Sequence, residues 1–213
     1  MLAYLSWHRP AAGVERQRYE QALEHFHRSL AHRPPSGFHG SATVRLPELP
    51  WLAPVAGSEP DLDPDAPVGP HAPGGPGQPG YEDWYLIDDW AAVGVLEEAA
   101  VSHGHVTTHD AAAKQAGAAT GAVYRLVEGC PRLDAVSAVW VERKPGRPQP
   151  SLATLLGDGM DPQRGGLWRR CIGLGPAPEY CLLASEPPAG IGAERLPEGW
   201  IANALARETI WSG

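Results

Sequence analysis

Of the 17 basic residues in this 213-residue chain only two are lysines, there are three cysteines, and nowhere do apolar residues run on for long. With a net charge of −8 and no run of Lys or Arg, non-specific nucleic-acid binding is excluded, because that binding depends on clustered cations displacing counterions. The arginine bias, beside abundant Ala, Gly and Pro, reads as codon usage rather than function. Cys130, Cys171 and Cys181 form no CxxC pair and cannot all be bridged, which fits a reducing compartment. A membrane helix needs roughly 18 or more consecutive apolar residues, and none is present. The first residues carry no basic leader before a long apolar stretch, so a soluble, cytoplasmic protein is expected. There is no Walker loop, no GxGxxG after a strand and no GxSxG, so neither a nucleotide cofactor nor a hydrolase nucleophile is expected.

What is present is an internal echo. Tyr4-Leu5-Ser6-Trp7-His8-Arg9-Pro10 alternates and ends in a basic-proline turn, and residues 139–145 repeat that grammar. Residues 82–88, Glu-Asp-Trp-Tyr-Leu-Ile-Asp, are mirrored by 179–185, Glu-Tyr-Cys-Leu-Leu-Ala-Ser. A duplicated unit must bury against its twin. The expected division is 1–130 and 131–213, each near the size of a small domain. Residues 50–80 hold 9 of the 23 prolines and 6 glycines, which reads as a long mobile loop. Asp61, Asp63 and Asp65 open like a calcium loop, but Ala66 and Ala72 stand where that loop needs Gly and Glu.

Period-two alternation places Ala3, Leu5 and Trp7 on one face of the first strand and Tyr4, Ser6 and His8 on the other. Tyr19, Leu23, Phe26 and Leu30 form the apolar stripe of a helix that Pro34 and Pro35 stop. A second strand sets Phe38, Ala42, Val44 and Leu46 against His39, Ser41, Thr43 and Arg45. A third strand follows at 81–87. Then comes a helix capped by Asp88 or Asp89, an Ala-rich helical stretch, and a fourth strand at 121–127. Strand, helix, strand, strand, helix, strand is the ferredoxin-like order. From 131 the order restarts: a strand at 136–143, a short helix capped by Ser151, strands at 167–174 and 179–184, a helical turn near Trp200 and a last strand at about 204–211. The fold class expected is α+β: two tandem ferredoxin-like units packed sheet to sheet as a pseudo-twofold α/β barrel. Apolar strand faces would lie under the helices, and polar faces would line a cavity between the sheets.

This element order, with the opening Trp7-His8-Arg9-Pro10 and the helix of residues 19–32, resembles the dimeric α/β-barrel superfamily of antibiotic-biosynthesis-monooxygenase, EthD-like and chlorite-dismutase-like proteins, here fused in one chain. The resemblance implies a small-molecule enzyme or binding protein with haem as one ligand of the group; it does not choose a reaction.

The cavity-facing set supplies the candidates. His8, His39 and Glu142 are the expected acid and base groups, Glu142 standing opposite His8 when the repeats are aligned. Tyr4, Arg45, Tyr85 and Trp140 are the expected substrate-binding groups. The reaction expected is oxidation, or cyclisation or isomerisation, of an aromatic or polyketide-like molecule, by a monomer or homodimer. One alternative is a non-catalytic ligand- or haem-binding protein. A second is a metal enzyme using His103, His105 and His109. Thr107 and Asp110, however, have capping-box spacing, which explains that segment as a helix start. The eight tryptophans are assigned to core packing.

Overall fold

A computed structural model describes residues 1–52, 79–102, 104–144, 146–147, 163–185 and 198–213. The segment expected as a mobile loop (but for its ends), the short helix after Ser151 and His103 lie outside these residues. Strand β1 (Leu2–Pro10) leads through a turn at Gly13, whose φ of 79° suits glycine, into helix α1 (Arg16–His32). Strands β2 (Phe38–Leu46) and β3 (Gly80–Ile87) follow, then α2 (Trp90–Val101) and α3 (Val106–Ala113). Asp89 caps α2, its side chain accepting from the Ala92 N–H. After β4 (Ala116–Gly129) come β5 (Ser137–Arg143), β6 (Gly165–Gly173), β7 (Tyr180–Ala184), β8 (Trp200–Ala206) and β9 (Glu208–Ser212).

The nine strands form one antiparallel sheet in the order β8-β5-β7-β6-β4-β1-β3-β2-β9. The sheet is curled. Four strand spacings separate β1 from β5, about 19 Å in a flat sheet at roughly 4.8 Å each. Yet the rings of Trp7 (β1) and Trp140 (β5) are 5.2 Å apart, edge to face. The two edge strands, β8 and β9, are joined through Arg207 alone, so the chain itself links one edge to the other.

Curling gives the apolar strand faces somewhere to go. Ala3, Leu5, Trp7, Val44, Trp84, Tyr124, Trp140 and Trp168 fill the interior. Burying an indole removes about 200 Å² from water, worth roughly 5 kcal/mol gross, so four fully buried tryptophans close this space as core. Within it Glu82 accepts from Trp7 Nε1 (3.0 Å), Trp84 Nε1 (2.6 Å) and Arg207 Nε (3.2 Å).

Several expectations are corrected. The apolar faces lie inside the curl and the polar faces of β1 and β3 lie under the helices, the reverse of the expected arrangement. Trp140, expected to bind substrate, therefore meets Trp7 in the interior instead. A register shift between Phe38 and Gly40 turns Phe38 to the helix side, where it packs near Phe26 and Ile87, because one residue of slip reverses a strand's faces. The Ala-rich stretch divides between α3 and β4. Trp200 begins a strand against Arg143 rather than a helical turn; pairing with β5 overrides local propensity. Helix α3 starts at Val106 after His105, which makes no side-chain cap; Thr107 is not its cap. No helix among the described residues is long and apolar enough to cross a membrane.

Candidate active site under the helices

The polar face of the β1–β3 pair is set by register. Tyr4, Ser6 and His8 stand opposite Tyr85, Asp83 and Tyr81. His8 stacks on Tyr81 (5.8 Å, 5°) and reaches diagonally, the direction in which same-face strand neighbours meet, to Asp83. Its Nε2 is 3.0 Å from Asp83 Oδ2. An ionised carboxylate can only accept, so this nitrogen carries the proton. Tyr85 Oη donates to the same oxygen at 3.1 Å.

Helix α1 supplies the opposite wall from its buried stripe of Tyr19, Leu23, Phe26, His27 and Leu30. Tyr19 Oη is 2.7 Å from His8 Nδ1. His27 is fully buried and stacks on Tyr85 at 5.1 Å. Its Nε2 sits 3.4 Å from Asp83 Oδ1 and its Nδ1 2.8 Å from Ser41 Oγ. Asp83 thus has a histidine beside each oxygen, hydrogen-bonded at Oδ2 and 3.4 Å away without a hydrogen bond at Oδ1. Burial pushes its pKa up, but electrostatic attraction and hydrogen bonding from the His8 and His27 side outweigh that and hold it well below the usual carboxylate range. Burial, helped by the Asp83 charge, pushes the phenols of Tyr19 and Tyr85 up; Tyr4 is raised by burial and by Glu97.

Above this cluster is a cavity of about 360 Å³ between the outer sheet face and the three helices. Its floor is Tyr4, Ser6, His8, Asp83 and Tyr85, with Tyr19 from α1. Its walls are apolar: Leu23, Phe26, Val93, Leu96 and a row of alanines on α3 and β4. Glu97 and His109 also border it, and among the described residues no Arg or Lys does. A mostly apolar chamber with a few converging polar groups is the common form of a small-molecule site.

Of the residues singled out in the sequence, His8, Tyr4, Tyr85 and His109 line this cavity. The others are elsewhere. His39 is on the surface, 2.5 Å from Asp88. Glu142 is exposed on β5, so the structure does not pair it with His8. Arg45 is held by Glu20 (2.8 Å) and Glu208 outside the cavity. His105 is buried between Ser29 Oγ (2.9 Å) and the Arg33 carbonyl (3.1 Å), tying α3 to the end of α1. Among the described residues no group of three or more His, Cys, Asp or Glu is arranged to hold a metal ion. A haem would need an axial histidine. Both ring nitrogens of His8 are engaged, which leaves His109, whose Nδ1 lies 3.4 Å from Asp110.

The sequence reading missed Asp83, Tyr19 and His27 as site groups. The signal for Asp83 in the sequence is a carboxylate at alternating spacing with Tyr81 and Tyr85 on one face of an apolar strand; the structure shows that strand buried along its whole length. Buried carboxylates are rarely left unpaired.

No family model matches the chain, and no curated protein matches it. A solved structure does. This chain is similar to the crystal structure of an anthrone oxidase-like protein, with a TM-score of 0.53, the match covering 100% of this chain and 92% of the other. At 6% sequence identity the likeness is one of fold. The two share a barrel-like arrangement of sheet and helices.

Proposed function

We propose that this chain is a small-molecule enzyme that removes or relocates a proton on a neutral aromatic or polyketide-like molecule held between helices and sheet. The chemistry would be oxidation, cyclisation or isomerisation begun by that proton transfer. The observation that carries the reading is the His8–Asp83–His27 cluster at the floor of an otherwise apolar cavity. A carboxylate kept ionised behind an imidazole orients it and stabilises the imidazolium formed when it takes a proton. The apolar walls, with no Arg or Lys among the described residues that line them, suit an uncharged ring system. Anthrone, from which the similar anthrone oxidase-like protein takes its name, is such a molecule, with an acidic carbon between aromatic rings. In this reading no nucleotide cofactor takes part.

The resemblance to a fused dimeric α/β barrel belongs to the same proposal. Its support is strand order: β8-β5-β7-β6 repeats, element for element, the order β4-β1-β3-β2. A division at about residue 130 would make the chain its own barrel partner, which supports a monomer.

The test is deuterium uptake at the acidic carbon of anthrone in heavy water, which needs no oxidant. Wild-type protein is expected to accelerate exchange and His8→Gln to lose the acceleration. Mass spectrometry and an absorption spectrum of the purified protein accompany it. No rate enhancement, together with a bound haem, would replace this reading with the haem-binding one.

A further inference from the structure

We infer that Tyr19 is the catalytic residue that meets the substrate, passing its proton to His8, which acts one step behind. This rests on the proton-transfer reading above and deepens it. The geometry points to it by elimination. His8 has two ring nitrogens, and the protein occupies both: Nε2 faces Asp83 at 3.0 Å and Nδ1 faces Tyr19 Oη at 2.7 Å. A substrate proton therefore reaches the imidazole through one of these partners or by displacing it.

Asp83 borders the cavity, but neither of its oxygens offers the proton a route: Oδ2 accepts from His8 and Tyr85, and Oδ1 is buried 3.4 Å from His27 Nε2. Protonating this carboxylate would also discard the charge that both histidines face. Tyr19 remains. It lines the cavity beside Leu23 and Ala112, and its hydroxyl can accept one proton while giving up another.

The step balances. The substrate's acidic O–H or C–H bond breaks and its proton forms a bond to Tyr19 Oη. In the same movement the Tyr19 O–H bond breaks and that proton bonds to His8 Nδ1. The substrate keeps the electron pair as an enolate or phenolate, and the imidazolium is paired with Asp83. Because burial and the Asp83 charge disfavour a free tyrosinate, the phenol passes the proton in concert rather than resting as an anion. Once His8 is protonated, Nδ1–H donates to Tyr19, and the Tyr19 O–H is free to hydrogen-bond the new oxyanion. One phenol thus serves as proton carrier and then as anion stabiliser. The substrate class follows: a neutral molecule with an enolisable ketone or a phenol of matched acidity.

The test uses para-nitrophenol, whose anion is coloured, bound to the full-length protein. At a fixed pH the bound probe is expected to show on the order of tenfold more anion than in buffer, one unit of pKa. Tyr19→Phe is expected to keep binding and lose the excess anion. Fluorotyrosine at position 19, which alters phenol acidity with little change of shape, is expected to change the anion fraction; a merely structural tyrosine would leave it unmoved. If His8→Gln abolishes the excess while Tyr19→Phe and fluorotyrosine leave it intact, the role of Tyr19 is overturned and the cavity reading stands. If His8→Gln also leaves it intact, or the wild-type protein shows no saturable binding, the proton-transfer reading itself falls.

Discussion

Arg207 Nε lies 3.2 Å from Glu82 Oε1 inside the curled sheet, and neither side chain touches solvent. Arg207 is the residue between the two edge strands, and Glu82 belongs to a central one. The guanidinium also donates to the Leu133 and Ala135 carbonyls and sits over the Trp84 ring at 6.0 Å. The pair anchors the crossing from one edge to the other.

Arg207→Leu is therefore expected to cost about 3–5 kcal/mol, the usual penalty for leaving a buried charge unpaired. Chemical denaturation measures it. The double variant with Glu82→Leu should lose less than the sum of the two single losses, because no charge is then stranded. Strictly additive losses would mean that the two groups do not act as a pair.

Asp83 gives a second expectation, with a sign fixed by its depressed pKa. Its stabilising contribution is full above the unfolded-chain value of about 4 and fades as pH falls toward the folded one. Asp83→Asn should cost about 3–5 kcal/mol at neutral pH, and the gap from wild type should narrow below pH of about 4. A gap that is constant down to acid would remove the ionised carboxylate from the account.

At the alkaline end, all six tyrosines have pKa values raised, burial being the largest cause at each. The native state resists ionising phenols that the unfolded chain ionises near pH 10, so stability is lost as pH rises past that point. Phenolate absorbance and loss of far-ultraviolet circular dichroism should rise together. Phenolate appearing while the fold is intact would contradict it.

His8 and His39 separate cavity from surface. His8→Gln should lower the rate of anthrone exchange by roughly 10²–10⁴-fold, the scale of general acid–base catalysis. His39→Ala should leave the rate unchanged and shift stability by less than about 0.5 kcal/mol, as surface substitutions do. Equal effects in both variants would move the chemistry out of this cavity.

Alternation and helical stripes were legible in the residues. The faces of β1, the buried stripe of α1 and the element order of the first half all follow from periods of 2 and 3.6, which are local properties of the backbone. So was the face of β1 that carries His8, Tyr4 and Ser6, the face that the cavity lies over. Which way each face points is not local. An alternating strand is equally content with either side buried, and only the curl that brings Trp7 against Trp140 sends the apolar face inward. That choice moved the cavity beneath the helices, left Glu142 and His39 outside it, and gave His8 its partners from β3 and α1. Asp83 and Tyr19 lie 75 and 11 residues from His8 along the chain, and their meeting depends on strand register and helix docking, which no window of sequence contains.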